Sequence, residues 1–317
     1  MSSMAGRGSP FTTPTKEKMR PYADRIPDTQ YRDILNLIMA EGVRTHNKYQ
    51  TKDRITHLRT QNMEFDLANG FPIITDRDIG SFFRKPIAEV ICFMHGARTL
   101  DDFKRIGGKH WPNWWARWVT PEKCANFGLE PGDLGPGSYG PGFVRVQPDG
   151  SVFNQFTEMV KQMRDMPWVT THRVTPWIPE LTLQHKELQR KVVVAPCHGD
   201  LQITITGDTF TLRMDQRSGD VPIGVPSNML QWAAFALMLG QVTGYKPEWY
   251  VHSIHDAHMY SDQVEHMKEL VEREPIPFPT LVINDPSIKD LLEFRPEHFD
   301  LADYNPHPAM NDIPVTE

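Results

Sequence analysis

The chain of 317 residues has 34 Lys and Arg against 40 Asp and Glu, and 39% of its residues are hydrophobic. This composition supports a sizeable core, while the net charge of −6 argues against a broad nucleic-acid-binding face, which needs a basic excess. Three cysteines are too few for a disulfide framework and favour a reducing compartment. With no secretory signal and no apolar run near the ~20 residues of a membrane helix, we expect a cytoplasmic protein that needs neither membrane nor nucleic acid.

The N-terminal part of the chain predicts a tail followed by one domain. Residues 1–27 are rich in Ser, Gly, Pro, Thr and charge, which is typical of poor order. Residues 28–317 contain no internal repeat and indicate a single mixed α/β domain. Helical spacing of apolar residues predicts a helix over 29–44. A second, buried helix is predicted over 86–95, where Glu89 is the lone charge.

The next predicted features are a turn and a long loop. Asn-Gly at 69–70 indicates a turn into a short strand over 71–74. The stretch 107–141 is dense in Trp, Gly and Pro, so we expect a structured loop of the kind that often carries function. Trp111 and Trp114 in this loop either belong to the core or form an aromatic wall for a large, flat cofactor.

The C-terminal half shows the clearest periodicity. The β-branched run 192–194 predicts a strand, and apolar residues alternate with polar ones over 201–206 and again over 210–214. Gly-Asp at 207–208 has the composition of a two-residue hairpin turn between these strands. The segment 228–239 is apolar on nearly every side, which predicts a helix in the centre of the domain.

Cys197 is the candidate nucleophile, with a buried structural thiol as the alternative. A proline precedes it, and the predicted strands on either side would hold it rigidly. The segment 216–220, Gln-Arg-Ser-Gly-Asp, lies at the end of the return strand and supplies donors and a carboxylate. A free thiol is only a few per cent thiolate at neutral pH, and Arg217 close to the sulfur would raise that fraction.

Four further side chains have both a chemical and a structural interpretation. Asn228 is either a helix N-cap or an amide that reads the C4 carbonyl and N3–H of uracil. His258 and Tyr260, two apart on one predicted strand, either bind a sugar or face solvent. Histidines three apart over 252–258 lack the cysteines or carboxylates that would complete a zinc site, so we expect no metal. Glu89 is either a helix-end charge or a buried carboxylate that shuttles protons.

Seven motifs, in order along most of the chain, resemble those of thymidylate synthases. They are Gly70-Phe71-Pro72, Gly132-Asp133-Leu134-Gly135-Pro136 with Tyr139, Ala195-Pro196-Cys197-His198, Gln216-Arg217-Ser218-Gly219-Asp220, Gly224-Val225-Pro226-Ser227-Asn228, Asp256-Ala257-His258-Met259-Tyr260 and Tyr304-Asn305-Pro306-His307-Pro308. The resemblance implies a three-layer α/β (α+β) fold and a homodimer whose interface is a large mixed sheet.

The resemblance also implies a mechanism. Cys197 adds to C6 of a pyrimidine nucleoside monophosphate, and C5 then attacks the methylene of 5,10-methylenetetrahydrofolate. Glu89, Tyr139 and ordered water help to remove the C5 proton. Hydride from tetrahydrofolate completes the methyl group, and Trp111 shields the intermediate until then. The expected reaction is methylation of dUMP to dTMP.

The remaining roles are carried over by the same resemblance. The implied substrate contacts are Arg217 and Ser218 to the phosphate, Asn228 to the base, His258 and Tyr260 to the sugar, and Arg54 and Arg173 as further phosphate ligands. The implied folate contacts are Trp111, Trp114, Gly224 and Asp220, and Asp220 joins Arg217 as a catalytic candidate.

The chain departs from the family pattern at several positions. Two adjacent arginines that reach the phosphate across the dimer are replaced at 170–171 by threonines, and Ser227 replaces a bulky aromatic residue. The C-terminus ends in Glu317 where the family prefers a small apolar residue. These departures keep open hydroxymethylation of dUMP, dCMP or CMP. A cysteine hydrolase is disfavoured because adjacent His198 would point to the opposite strand face, and a non-catalytic nucleotide-binding protein is a further alternative.

Overall fold

The computed structural model describes residues 19–46 and 51–316. Its helices are α1 (Gln30–Glu41), α2 (Arg84–Met94), α3 (Leu100–Gly107), α4 (Pro121–Ala125), α5 (Tyr139–Phe143), α6 (Gln155–Asp165), α7 (Pro179–Thr182), α8 (Gly224–Thr243) and α9 (Val264–Val271). Its strands are β1 (Val43–Thr45), β2 (Arg54–His57), β3 (Met63–Asp66), β4 (Val144–Val146), β5 (Val152–Asn154), β6 (Arg173–Val174), β7 (Asp200–Thr206), β8 (Thr209–Gln216), β9 (Gly219–Asp220), β10 (Lys246–Ile254), β11 (Ala257–Tyr260), β12 (Thr280–Ile283) and β13 (Phe299–Ala302). The predicted mixed α/β class is confirmed.

The largest sheet is mixed and has the strand order β3-β10-β8-β7-β6. β10 runs parallel to β8, and the other neighbours are antiparallel. The predicted hairpin is confirmed, because β7 and β8 pair from Thr206↔Thr209 to Asp200↔Asp215, and Gly207 takes the positive φ of 63° that this turn requires. Along β8 buried side chains alternate with partly exposed ones, so one face of the sheet covers the core.

α8 is the central helix of the domain, as its sequence predicts. Nearly all its side chains are buried, including Trp232 and Phe235, and it packs against β10 and α2. α2 is also buried along its length and confirms the predicted helix around Glu89. α8 therefore lies in the interior of the domain, in contact with both the sheet and α2.

A second sheet, ordered β1-β2-β11-β9, brings distant motifs together. Its register places Tyr260 of β11 opposite Arg54 of β2, and His258 beside Asp220 of β9. These residues are far apart in sequence, so the sheet rather than chain proximity assembles them.

Two local predictions in this part of the chain need correction. The helix over 29–44 is confirmed as α1. The predicted strand over 71–74 is instead a buried extended segment. Phe71 N–H donates to Pro279 O at 2.8 Å, but the segment does not pair with a strand of any described sheet. Residues 1–18 of the predicted tail lie outside the described residues. Residues 19–27 are packed against the domain, contrary to expectation, because buried Arg25 donates to Phe278 O at 2.8 Å and Thr280 Oγ1 at 2.7 Å.

The segment before Cys197 is also not a strand. Val192 and Val193 are buried in a loop, and Val193 N–H donates to Leu134 O at 3.0 Å. Their β-branched side chains serve burial rather than sheet pairing, which is why the sequence suggested a strand. The Trp-rich stretch 107–141 is ordered, as predicted, through 3₁₀ turns and α4. Within the described ranges, no helix has the length and apolar character to cross a bilayer.

Candidate active site

Cys197 lies in a loop just before β7 and is held by backbone contacts. Its N–H donates to Tyr139 Oη at 2.7 Å, and its carbonyl accepts the Arg217 N–H at 2.8 Å. Next to it, Gly199 has φ 93°, and a Cβ there would lie 2.9 Å from the ring of Trp232. The expectation that strands on both sides hold the sulfur is therefore wrong for the preceding segment, which is a tightly packed loop, whereas β7 does follow at Asp200. Cys197 is partly exposed, unlike buried Cys92 and Cys124, which argues against a core thiol.

Arg217 places its charge beside the sulfur, as the sequence suggested. Its Nη2 lies 3.3 Å from Cys197 Sγ. The guanidinium also donates to Pro196 O at 2.7 Å and to Ala195 O at 3.0 Å, and it lies over the ring of Trp177 at 5.6 Å. These contacts fix the cation against the loop that carries the nucleophile, so the pair is preorganised.

His198 faces the core. Its Nδ1 accepts the Trp232 indole N–H at 3.0 Å, and burial, followed by the charge of Arg217, lowers its pKa to about 3. It stays neutral, and its ring packs 4.8 Å from that of Tyr139. His198 is therefore not an oriented base for Cys197 of the kind that a cysteine hydrolase requires.

Glu89 is a buried carboxylate, which excludes the helix-end alternative. It is 3% exposed, and its Oε1 accepts the indole N–H groups of Trp114 and Trp115, each at 2.7 Å. Burial raises its pKa to about 7, although the two indoles and Gln231 act in the opposite direction. A carboxyl group with this pKa can both take up and release a proton near neutral pH.

Tyr139 connects the nucleophile with this acidic group. Its ring stacks on Phe93 at 4.4 Å and contacts Trp115 edge-on at 6.0 Å. Burial raises the pKa of its hydroxyl, so the phenol keeps its proton while it accepts the Cys197 N–H. The phenol is therefore positioned to donate a hydrogen bond next to the sulfur.

Asn228 belongs to a buried network of amides. The N-cap interpretation is wrong, because α8 begins at Gly224 and Ile223 is its N-cap. Asn228 Oδ1 instead accepts from Gln216 Nε2 at 3.0 Å, and its Nδ2 donates to Gln231 Oε1 at 3.4 Å.

Gln216 is in turn fixed from the far side of the network. The Nε2 of His252 donates to Gln216 Oε1 at 2.8 Å, and the Nδ1 of His252 lies 3.2 Å from Tyr250 Oη. Burial lowers the pKa of His252 to about 3, so the ring is neutral. The orientation of the Asn228 amide is thereby set by hydrogen bonds that begin well inside the core.

A polar cluster forms at the edge of the second sheet. The guanidinium of Arg54 contacts the carboxylate of Asp256, and Ser218 Oγ donates to the same carboxylate at 2.8 Å. Burial acts to raise the pKa of Asp256, but hydrogen bonds from His258, Ser218 and Arg54 bring it well below its usual range. Through Asp256, the cluster thus brings together Arg54 and Ser218, two of the predicted phosphate ligands.

His258 and Tyr260 are buried side chains of β11, so the solvent-facing alternative is wrong. Asp220, beside His258, accepts from Ile223 N–H at 3.3 Å and from Gln263 Nε2 at 3.2 Å. Burial raises the pKa of Asp220 to about 6. Gln263, which the sequence did not single out, also donates to Pro314 O at 2.9 Å and so holds the C-terminal segment next to Asp220.

The structure separates Arg173 from these contacts. It lies on edge strand β6 with its side chain 56% exposed and forms an ion pair with Asp200 at 3.7 Å. Trp111 packs partly buried against the core, and Gly224 lies at the start of α8, where an added Cβ would be 3.9 Å from Asn228 Oδ1. The roles of Arg173, Trp111 and Gly224 in ligand binding stay predictions.

Trp115 and Gln216 were missed as site residues. Trp115 directly follows Trp114 in the Trp-rich loop, and Gln216 opens the motif 216–220. The adjacency of Trp114 and Trp115 was a signal, but residue spacing does not show which indole reaches Glu89. For metals, the described ranges contain no group of three or more His, Cys, Asp or Glu side chains that could hold an ion.

A family model described as thymidylate synthase matches residues 29–315. The chain therefore belongs to the thymidylate synthase family, as its motifs suggested. This membership makes it a transferase that carries out folate-dependent one-carbon transfer to C5 of a pyrimidine nucleotide, with methylenetetrahydrofolate as co-substrate. The loop cysteine, its arginine and the buried glutamate are consistent with that chemistry.

Proposed function

We propose that this enzyme methylates dUMP to dTMP. The observation that carries the proposal is the position of two neighbouring residues at the end of β8. Gln216 fixes Asn228, the candidate base reader, and Arg217 holds the charge beside Cys197. An Asn228 amide offers both a donor and an acceptor, which complements the C4 carbonyl and N3–H of uracil.

The proposed reaction begins when the Cys197 thiolate forms a bond to C6 of the pyrimidine. The electron pair released at C5 would then form a bond to the methylene carbon of the folate co-substrate as the bond from that carbon to N10 breaks, and the later release of tetrahydrofolate breaks its bond to N5. The C5 proton passes through water to Glu89, whose pKa of about 7 suits this transfer, with Tyr139 as a hydrogen-bond donor nearby. Tetrahydrofolate leaves, its C6 hydride reduces the exocyclic methylene, and Cys197 is expelled to give dTMP and dihydrofolate.

Binding of the nucleotide uses the polar cluster and the second sheet. Arg217, Ser218 and Arg54 hold the phosphate, and His258 with Tyr260 holds the sugar. The guanidinium of Arg54 already forms an ion pair with Asp256. To bind the phosphate, it must contact the carboxylate and the phosphate at the same time. Arg173 supplies a further phosphate contact from the partner subunit.

The folate side of the site is formed by Trp111, Trp114, Gly224 and Asp220. Asp220 is held by Gln263, which also holds Pro314, so closure of the C-terminal segment and orientation of this carboxylate are linked. Trp111 shields the methylene intermediate from water. This shielding favours reduction by hydride over capture by hydroxide.

Hydroxymethylation of dUMP, dCMP or CMP is the second candidate. It is favoured by Ser227, a small and partly exposed residue on α8 one position before Asn228, because a small side chain there leaves room for water. Water would then add to the methylene and tetrahydrofolate would be released unoxidised. The same Cys197 adduct serves both reactions, so only the product distinguishes them.

The active form is a homodimer in the cytoplasm that uses no metal and requires no membrane or nucleic acid. The face of the large sheet that points away from the core is the proposed dimer surface. On β8 this face carries Thr211, Arg213 and Asp215, which are partly exposed. Exposed Trp249 on β10 pairs with Thr211 in the same sheet. Two such faces, stacked back to back, form the proposed interface.

The decisive experiment is product identification. The protein is incubated with methylenetetrahydrofolate and, separately, dUMP, dCMP or CMP, and the nucleotide and folate products are separated and weighed by mass spectrometry. We expect dTMP and dihydrofolate from dUMP alone. A hydroxymethylated nucleotide with tetrahydrofolate would establish the second candidate, and no product from any nucleotide with native protein would contradict both.

A further inference from the structure

The carboxyl group of Glu89 has an unusual hydrogen-bond environment. Two indole N–H groups, from consecutive residues Trp114 and Trp115, reach the same oxygen, Oε1, at 2.7 Å each. A carboxylate oxygen that accepts two donors holds negative charge well, whereas the other oxygen, Oε2, receives neither indole. The geometry therefore makes the two oxygens inequivalent, and a proton is favoured at Oε2.

Trp115 differs from Trp114 in how firmly it is held. Trp115 is 6% exposed, and its ring contacts Phe103 at 6.0 Å and Tyr139 edge-on at 6.0 Å. Tyr139 is the residue whose hydroxyl accepts the Cys197 N–H. Trp115 thus packs against one proton-handling residue and hydrogen-bonds the other.

Among the described residues, the ionisable groups that interact with Glu89 provide no positive charge. They are Cys92, one turn later on α2, and Tyr139 on α5, and both interact with Glu89 electrostatically. Burial raises the pKa of each, so both are neutral near pH 7. α8 contributes the amide of Gln231, which also lies near the carboxyl group. Neutral donors, principally the indoles, are therefore what stabilises the ionised form.

We propose that Trp115 is a positioning residue for proton transfer. Its N–H fixes Glu89 Oε1, so that Glu89 exchanges its proton at Oε2. Its ring holds Tyr139 where the phenol accepts the Cys197 N–H. The catalytic part of this inference rests on the proposed function. The hydrogen bond itself does not, and it can be tested without substrate.

The first test uses the native protein labelled with ¹⁵N at its tryptophan indoles. NMR spectra are recorded over a pH range around 7, and we expect two indole N–H signals to move with one common midpoint. Glu89→Gln should abolish both movements, and Trp114→Phe should remove one signal and leave that of Trp115. If the remaining signal does not titrate, the proposal is overturned, whatever the enzyme does to dUMP.

The second test compares Trp115→Phe with Trp118→Phe, a matched change in the same loop at a partly buried tryptophan. Loss of one hydrogen bond to the carboxylate should raise the midpoint of Glu89 by about one pH unit. The pH profile of C5-hydrogen release from dUMP should shift equally, with kcat changing more than KM. Trp118→Phe should leave the profile in place.

The outcomes separate structural from mechanistic roles. A uniform loss of activity at all pH values in Trp115→Phe, without a shifted midpoint, would mean that Trp115 only packs, and would overturn the proposal. If Trp115→Phe does not fold, the indole titration of native protein decides. Absence of C5-hydrogen release from native protein would contradict the proposed function and leave the titration result standing.

Discussion

Gln216 Nε2 lies 3.0 Å from Asn228 Oδ1, and this contact decides which way the Asn228 amide faces. Gln216 Oε1 also accepts the N–H of His252, and its Nε2 also donates to Ser218 O, so the Gln216 amide cannot rotate without losing three hydrogen bonds. Asn228, the proposed base reader, is therefore preorganised before any nucleotide arrives. If it reads the base as proposed, pyrimidine specificity depends on one side chain whose surroundings are fixed.

Asn228→Asp should shift base preference from uracil to cytosine. The carboxylate still accepts from Gln216, but its second oxygen repels the uracil C4 carbonyl and accepts from the cytosine amino group. We expect kcat/KM for dUMP to fall about 10- to 100-fold while the dCMP/dUMP ratio rises. Steady-state kinetics with both nucleotides measure the ratio.

Asn228→Leu is the matched control for this change. It removes donor and acceptor together and should lower turnover of both nucleotides without inverting their order. An unchanged dCMP/dUMP ratio in Asn228→Asp would mean that Asn228 does not contact the base.

The sequence predicted the central helix α8 and the β7–β8 hairpin because their patterns are local. It failed at 192–194, since a β-branched run indicates burial as strongly as it indicates a strand, and here Val192 is buried in a loop. Trp115 was beyond reach for another reason. Its contact with Glu89 depends on how the Trp-rich loop folds over α2, and no residue spacing encodes that packing.

Cys197→Ala should abolish covalent trapping of a 5-fluorinated dUMP analogue. The analogue has no removable proton at C5, so native enzyme with methylenetetrahydrofolate should accumulate a stable adduct that intact-protein mass spectrometry detects. Cys124→Ala is the control, because Cys124 is buried and should leave adduct formation intact. Native protein that forms no adduct, or an adduct that persists in Cys197→Ala, would show that this sulfur is not the nucleophile.

Glu89→Gln should stabilise the fold above neutral pH while it removes activity. Burial raises the pKa of Glu89 from 4.5 to about 7, so the folded state binds the proton more tightly than the unfolded state. Stability therefore falls as pH rises from 4.5 to about 7, by up to about 3 kcal/mol. The amide carries no such cost, and Tm at pH 8 should rise by about 5 °C with little change at pH 4.

Calorimetry at both pH values measures this difference. Glu158→Gln, on the partly exposed side of α6 next to Lys161, is the control and should change Tm little at either pH. An equal Tm change for Glu89→Gln at pH 4 and pH 8 would contradict a raised pKa at Glu89.

Arg173→Ala should weaken nucleotide binding through the partner subunit. Thr170 and Thr171 leave the phosphate without two cations, and Arg173, exposed and only loosely paired with Asp200 at 3.7 Å, is free to reach outward. Loss of one charge-assisted contact should raise KM for dUMP about 10-fold with kcat nearly unchanged. Co-expression of Arg173→Ala with Cys197→Ala tests which subunit supplies the arginine. If the contact crosses the dimer, a mixed dimer contains one site in which Cys197 and Arg173 are both native. Recovery of low-KM turnover in the mixture supports a contact across the dimer, whereas no recovery places Arg173 in its own subunit's site or outside it.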